Sequence, residues 1–244
     1  MEMSEVNAVQ PLGIEAFEKV ERLIVVAAHP DDLECICAGV VALLIDRGVE
    51  VHSVNCTLGD IGTQETGIVR PALGATRLAE AEEAAKRLGI RSTHNLGYHD
   101  GELTPNLELR AQIARLYRVT QADMLFTFDP YWVGQIHPDH RAAGQAALDA
   151  YMPSKMPLYR PEQLTEAGAG LGRLERIFLF STSNPDVIVD TTAVQPRKIA
   201  ACVAHRSQFP EGEKSLEWLK DMDAETGAPI GAGAAEAFKS MRVW

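Results

Sequence analysis

The sequence predicts an α/β fold in three layers, with a mostly parallel sheet and helices on both faces. Two observations carry this expectation. Apolar runs of strand length alternate with stretches of helical periodicity, and the first run is apolar throughout, as suits a strand covered on both sides. Strand, helix, strand, helix in that order implies right-handed βαβ crossovers and therefore parallel strands.

Leu23-Ile-Val-Val-Ala-Ala28 reads as the first buried strand. A helix follows, because Leu33, Ile36, Cys37, Val40, Val41, Leu44 and Ile45 keep the i, i+3, i+4, i+7 spacing and Gly48 supplies a stop. Val49 to Thr57 alternates as a second strand. From Thr76 to Leu88 the pattern is helical again, with Leu78, Ala81, Ala85 and Leu88 on one side and Gly89 as terminator. Arg91 to Leu96 predicts a short strand, Leu107 to Thr120 a third helix, Met124 to Phe128 another buried strand, and His140 to Tyr151 an alanine-rich helix. Arg176 to Ser181 and Val187 to Asp190 read as further strands of open direction, with a helix near Val194 to His205. Met152 to Gly172, rich in Pro and Gly, is expected to be a surface excursion. No repeat or low-complexity tract interrupts the chain, so one domain is expected over residues 1–244.

Charge and composition narrow the function. Twenty-three Lys plus Arg against thirty-four Asp plus Glu give a net charge of -11, the wrong sign for tracking a phosphate backbone or an anionic membrane. No nucleic-acid partner is expected. The apolar stretches Leu23 to Ala28 and Val40 to Ile45 fall far short of the ~20 residues that span a bilayer, and Met1 to Gln10 lacks the basic start and apolar centre of an export signal. A cytoplasmic protein is expected. Cys35, Cys37, Cys56 and Cys202 form no paired CxxC knuckles and read as reduced core residues rather than metal ligands.

Two clusters carry the chemistry. His29-Pro30-Asp31-Asp32 and His137-Pro138-Asp139-His140 each lie past the end of an expected strand, at the start of an expected helix. In a doubly wound sheet the first and fourth strands are neighbours where the winding reverses, and ligands bind outside their carboxyl ends, so both clusters would face one crevice. Imidazole nitrogen and carboxylate oxygen are the donors that zinc takes, three of them in a catalytic site with a position left for water. His29, Asp32 and His140 supply that set. Asp31, adjacent but aimed differently, is the expected general base, and His137 the donor to a developing oxyanion or leaving amine. Read without a ligand, HisProAspAsp is an ordinary helix cap; two such clusters favour the metal site. His52, His94 and His99 have no such company and read as surface or satisfied core residues. No GxSxG elbow or GxxxxGK[ST] loop is present, and Gly168-Ala-Gly170-Leu-Gly172 follows no clear strand.

Six segments in order, Ala28-His-Pro-Asp-Asp-Leu-Glu34, Thr57-Leu-Gly-Asp60, Arg77-Leu-Ala-Glu80, Leu96-Gly-Tyr-His-Asp-Gly101, His137-Pro-Asp-His140 and Ala204-His-Arg-Ser-Gln208, resemble the PIG-L/LmbE-like family of metal-dependent N-deacetylases. The resemblance implies a Rossmann-like fold, one catalytic zinc ion, and hydrolysis of the N-acetyl group of an N-acetylglucosamine-type sugar or conjugate. It assigns His29, Asp32 and His140 as ligands, Asp31 as base and His137 as transition-state stabiliser. It also suggests that Arg77 and Asp100 line the sugar pocket, and it implies a homo-oligomer, a trimer or hexamer. By residues alone, Arg77 reads as a solvated ion pair and Asp100-Gly101 as a turn. His205 and Gln208 match the family signature without an assigned role. Gly62 to Ala75 carries no signature, Tyr131-Trp132-Val133 offers aromatic surface for a sugar ring or for the core, and an end at Trp244 leaves no long C-terminal extension near the pocket. Two alternatives stand beside a sugar deacetylase: a zinc-dependent amidase acting on a non-sugar N-acyl compound, and a non-catalytic metal-stabilised carbohydrate-binding module.

Overall fold

The structure is a computed structural model that describes residues 12–243, so the expectations for Met1 to Gln10 and for Trp244 lie outside the described residues. Seven strands form one sheet: β1 (Arg22–Ala27), β2 (Glu50–Thr57), β3 (Ser92–Tyr98), β4 (Met124–Phe128), β5 (Arg176–Phe180), β6 (Val187–Asp190) and β7 (Ala235–Met241). Their order is β3-β2-β1-β4-β5-β7-β6. The pairs β1/β2, β2/β3, β1/β4 and β4/β5 are parallel, whereas β7 runs antiparallel to both β5 and β6. The three-layer α/β fold with a mostly parallel sheet is therefore observed, and β1 and β4 are neighbours where the winding reverses. The open direction of β6 resolves as parallel to β5, with β7 between them.

Helices α1 (Asp32–Asp46), α2 (Arg70–Leu88) and α6 (Gln195–Cys202) pack together on one face, and α3 (Leu107–Thr120), α4 (Pro138–Asp149) and α5 (Tyr151–Lys155) on the other. The last helix, α7 (Glu217–Gly227), lies against β7 and β6. Between the layers β1 is buried from Leu23 onward and β4 over its whole length, as their apolar runs require. Among the described residues no helix is long and apolar enough to cross a membrane.

Several boundaries differ from expectation for local reasons. Helix α2 starts at Arg70, six residues before the expected Thr76, because Pro71 falls in its first turn, where a missing N–H costs nothing. Helix α4 starts at Pro138 because the His137 side chain caps it, accepting from the Asp139 N–H. It ends at Asp149, and Tyr151 opens the separate α5. Residues 152–172 do run outside the sheet, but buried Arg118 of α3 anchors them. Its guanidinium donates to the carbonyls of Pro153, Ser154, Met156 and Arg160 and to Gln163 Oε1.

Helix α7 and strand β7 had no counterpart in the sequence reading. A buried ion cluster fixes both: Lys198 Nζ of α6 lies 2.8 Å from Asp223 Oδ1 of α7 and 2.9 Å from Glu236 Oε1 of β7. Glu236 also accepts from the N–H groups of Gly39 and Val40, 2.8 and 2.7 Å away in the middle of α1. Burial of an unpaired charge is costly, so these partners hold one another in place.

Candidate active site

The polypeptide leaves β1 at Ala27 and turns sharply through His29-Pro30-Asp31 into α1. The turn is fixed at Asp32, whose Oδ2 accepts from the N–H groups of Ala28 at 3.0 Å and His29 at 2.8 Å. Asp31 sits at φ 115°, a left-handed conformation that costs a residue with a side chain about 1–3 kcal/mol. Its carboxylate compensates, with Oδ2 3.0 Å from Arg77 Nη2.

From the neighbouring β4 the chain passes through an exposed loop to His137 and α4. The two clusters converge. The ring of His29 lies 4.6 Å from that of His137 and 5.1 Å from that of His140, between centroids. His140 is sandwiched between Phe128, 3.9 Å away, and His137, 4.5 Å away, both stacked. Asp32 stands between two imidazoles: Oδ2 is 3.4 Å from His29 Nδ1, and Oδ1 is 3.3 Å from His140 Nε2.

His29 is buried, and its other nitrogen, Nε2, faces Asp100 Oδ1 at 3.2 Å and Asp139 Oδ2 at 3.3 Å. Asp139 was not singled out from sequence. It is fully buried and receives the N–H groups of Gly101 and Leu103 at 2.7 and 3.2 Å, so it anchors the segment after β3 to α4. Among the described residues two sets of side chains converge closely enough to hold a cation, His29, His137 and His140, and His29, Asp100 and Asp139, and neither includes Asp32 of the expected ligand set. The second set has two carboxylates on one nitrogen, and Asp139 already serves two backbone donors. The two carboxylates hold the imidazole of His29 in place.

The electrostatics follow from crowding. Burial would depress the His29 pKa, but the Asp32 charge and the hydrogen bonds that the ring donates to Asp100, Asp139 and Asp32 outweigh it and push the value up to about 12. Burial would likewise raise Asp32, yet His140 and His29 hold it well below the usual carboxylate range. Asp31 goes the other way: burial, aided by the Asp32 charge, raises it to about 6 against the pull of Arg77, His205 and His29. Burial lowers His137, and the charges of His29 and His140 lower it further, so its ring is neutral at neutral pH. Because His137 Nδ1 accepts from the Asp139 N–H at 3.2 Å, the ring proton resides on Nε2.

Arg77 and Asp100 face inward, 3% and 5% exposed. Arg77 donates to Gly59 O at 3.0 Å and Pro30 O at 2.6 Å besides holding Asp31. Of the aromatic loop, Tyr131 is exposed while Trp132 is half-buried, folded over Gly134. The four cysteines are free thiols, and none joins either cation-holding set among the described residues. Buried His52 and half-buried His94 share the Ser92 hydroxyl at 2.7 and 2.9 Å, as satisfied residues do.

Residues 24–151, just over half of the chain, match the family model described as PIG-L, GlcNAc-PI de-N-acetylase. The chain belongs to the PIG-L family. A diacetylchitobiose deacetylase of Thermococcus kodakarensis is 30% identical to it over 81% of this chain and 73% of its own. A probable N-acetyl-alpha-D-glucosaminyl L-malate deacetylase 2 of Bacillus cereus is 30% identical over 84% of this chain and 91% of its own. Among solved structures, the N,N'-diacetylchitobiose deacetylase of Pyrococcus horikoshii, complexed with an inhibitor, superposes with a TM-score of 0.86 at 32% identity, covering 93% of this chain and 85% of that one.

In this PIG-L member a second carboxylate, Asp60, braces the crevice and was visible beforehand only as part of a matched segment. It accepts from Arg70 Nε at 3.1 Å, the Asp100 N–H at 2.9 Å and His99 Nδ1 at 2.7 Å. Burial would raise its pKa, but the Arg70, Asp100 and His99 hydrogen bonds lower it to about 2. A folded-state pKa below the unfolded value of about 3.9 adds stability above pH 4 that is lost as pH falls from about 4 to about 2. Asp60→Asn is expected to lower stability at pH 7 by about 2 kcal/mol and to flatten the acid-unfolding curve in that window, as read by urea melts at several pH values.

Proposed function

We propose that this chain is a zinc-dependent hydrolase that removes the N-acetyl group from an N-acetylglucosamine-type sugar or conjugate, releasing acetate and a free amine. The observation that carries this reading is the placement of Asp32 between His29 Nδ1 and His140 Nε2, at 3.4 and 3.3 Å, with Asp31 alongside. Asp32 reaches the two imidazoles through its two different oxygens, and imidazole nitrogen with carboxylate oxygen is a donor chemistry that suits zinc. The crowd of carboxylates that charges His29 supports the same fit, since a bound cation takes over the role of that proton.

When bound, the ion supplies Lewis-acid polarisation of the amide carbonyl and acidifies water. The chain's own groups do the rest. Asp31 Oδ2 is committed to Arg77, leaving Oδ1 to take a proton from the attacking water and to return it to the amine nitrogen as the C–N bond breaks, and its raised pKa suits transfer near neutrality. His137 Nε2–H hydrogen-bonds the carbonyl oxygen as negative charge builds there. Asp100 and Asp139 hold the His29 ring. Arg77 and Asp100 form the wall assigned to the sugar. The Arg77 Nη atoms already engage Asp31, Pro30 and Gly59, whereas its buried Nε has no partner among the described residues and is the donor open to a sugar hydroxyl.

The sugar preference is supported by the names of the relatives. Acetate release from N-acetylglucosamine, diacetylchitobiose and acetylated amino acid amides by zinc-loaded protein tests it: kcat/KM is expected to be highest on the sugars. Faster turnover of the amides would shift the reading to the non-sugar amidase, and no release from any of them would leave the carbohydrate-binding module. The proposal includes a cytoplasmic homo-oligomer, trimer or hexamer, checked by light scattering; the free thiols suit a reducing compartment.

A further inference from the structure

The turn after α6, Ala204-His-Arg-Ser-Gln208, has no part in the roles above, yet three of its side chains reach three separate pieces of the crevice wall. His205 is fully buried, with Nε2 3.3 Å from Glu34 Oε2 in the first turn of α1. Ser207 grips Glu80 of α2 twice: its N–H donates to Oε1 at 2.8 Å and its hydroxyl to Oε2 at 2.6 Å. Gln208 Nε2 donates to the carbonyl of Gly62 at 3.0 Å, in the loop after β2.

These anchors converge on one slot. Glu80 lies one turn beyond Arg77 on α2. Gly59, at φ 63°, and Gly62 form the opposite wall, and a side-chain carbon at either position would collide with the Arg77 guanidinium. Helix and loop, the two sides of the slot, are therefore both tied to the same turn. Arg77 in turn fixes Asp31 Oδ2, on a backbone already held in a left-handed conformation. A carboxylate there is free to rotate about its own side-chain bonds, so its aim depends on the guanidinium.

We infer that Ser207 and Gln208 are positioning residues that, through Glu80 and Gly62, set Arg77 in its slot and so aim the Asp31 carboxylate. The inference rests on the reading of Asp31 as the proton acceptor. A merely structural tie between α2 and α6 exists nearby for comparison: Arg87 Nη1 donates to Ala200 O at 2.7 Å, almost three turns along α2 from Arg77.

The test measures acetate release from N-acetylglucosamine and diacetylchitobiose, zinc content and melting midpoint for five variants. Ser207→Ala and Gln208→Ala are expected to lower kcat roughly 5- to 50-fold, within the loss that a small misplacement of a reacting group causes, with KM and zinc content unchanged. Ser207→Thr, which keeps the hydroxyl, is expected to restore kcat. Arg87→Ala is expected to lower the melting midpoint while leaving kcat in place. Unchanged kcat in Ser207→Ala and Gln208→Ala, no restoration by threonine, or an equal loss in Arg87→Ala would overturn the inference. Asp31→Asn separates the two levels: wild-type turnover there removes the proton acceptor and this inference with it, whereas inactive Asp31→Asn beside fully active Ser207→Ala removes the positioning role alone.

Discussion

Asp31→Asn is expected to lower kcat by roughly 10²- to 10⁴-fold, the range a positioned proton acceptor contributes, while zinc binding and folding persist. Asparagine is the informative replacement because it tolerates the left-handed backbone at φ 115°, whereas alanine adds strain to the loss of the carboxylate. The amide still accepts from Arg77 but takes no proton. In the wild type, the acid limb of kcat/KM belongs to this carboxyl: activity falls as pH drops through its pKa, about 6 before a cation is bound and lower once the positive charge is present. The Asn variant loses that limb. Metal analysis after dialysis and a pH profile of acetate release check both parts, and a zinc-loaded variant with wild-type turnover would sink the assignment.

His140→Ala is expected to abolish turnover together with the metal. Its Nε2 is one of three proposed donors, and loss of a partner that only orients a ligand already costs roughly 10–100-fold in metal affinity, so loss of the ligand costs more. His140 is a cleaner choice than Asp32, because Asp32 also receives two backbone N–H groups of the turn and its removal disturbs the fold. The ring packs between Phe128 and His137, so the alanine leaves a small void and a modest fall in melting midpoint. Zinc titration by calorimetry reads the effect. Retention of stoichiometric, tightly held zinc in His140→Ala would exclude His140 from the ligand set.

Strands β1 and β4 and helix α1 were legible because each declares itself within a few neighbouring residues, by an unbroken apolar run or a faultless helical spacing. The start of α2 was not, since Gly67, Pro71 and Gly74 look like loop residues until Pro71 is seen in a first helical turn. Strand β7 has neither an apolar run nor a clean alternation; its position is decided by Glu236 meeting Lys198 and by pairing with distant partners. The candidate site divides in the same way. His29, Asp31, Asp32, His137 and His140 stand in two compact clusters, and the structure brings the clusters together. Asp139 lay inside a cluster without announcing its role, and the bracing of Asp60 by Arg70, His99 and the Asp100 N–H forms only when three segments meet. The Ser207 to Glu80 contact spans 127 positions, beyond any local signal.

Strand β7 also dictates when the sheet is complete. It slots between two strands that precede it, so a chain emerging from the ribosome holds β5 with a bare apolar edge, Arg176-Ile-Phe-Leu-Phe180, until residues 235–241 arrive. Such an edge invites pairing with other chains, which makes this interval the stage of biosynthesis most exposed to aggregation. The helix that carries Asp32 at its start is likewise left without the Glu236 carboxylate at its middle until residues 235–241 have been made.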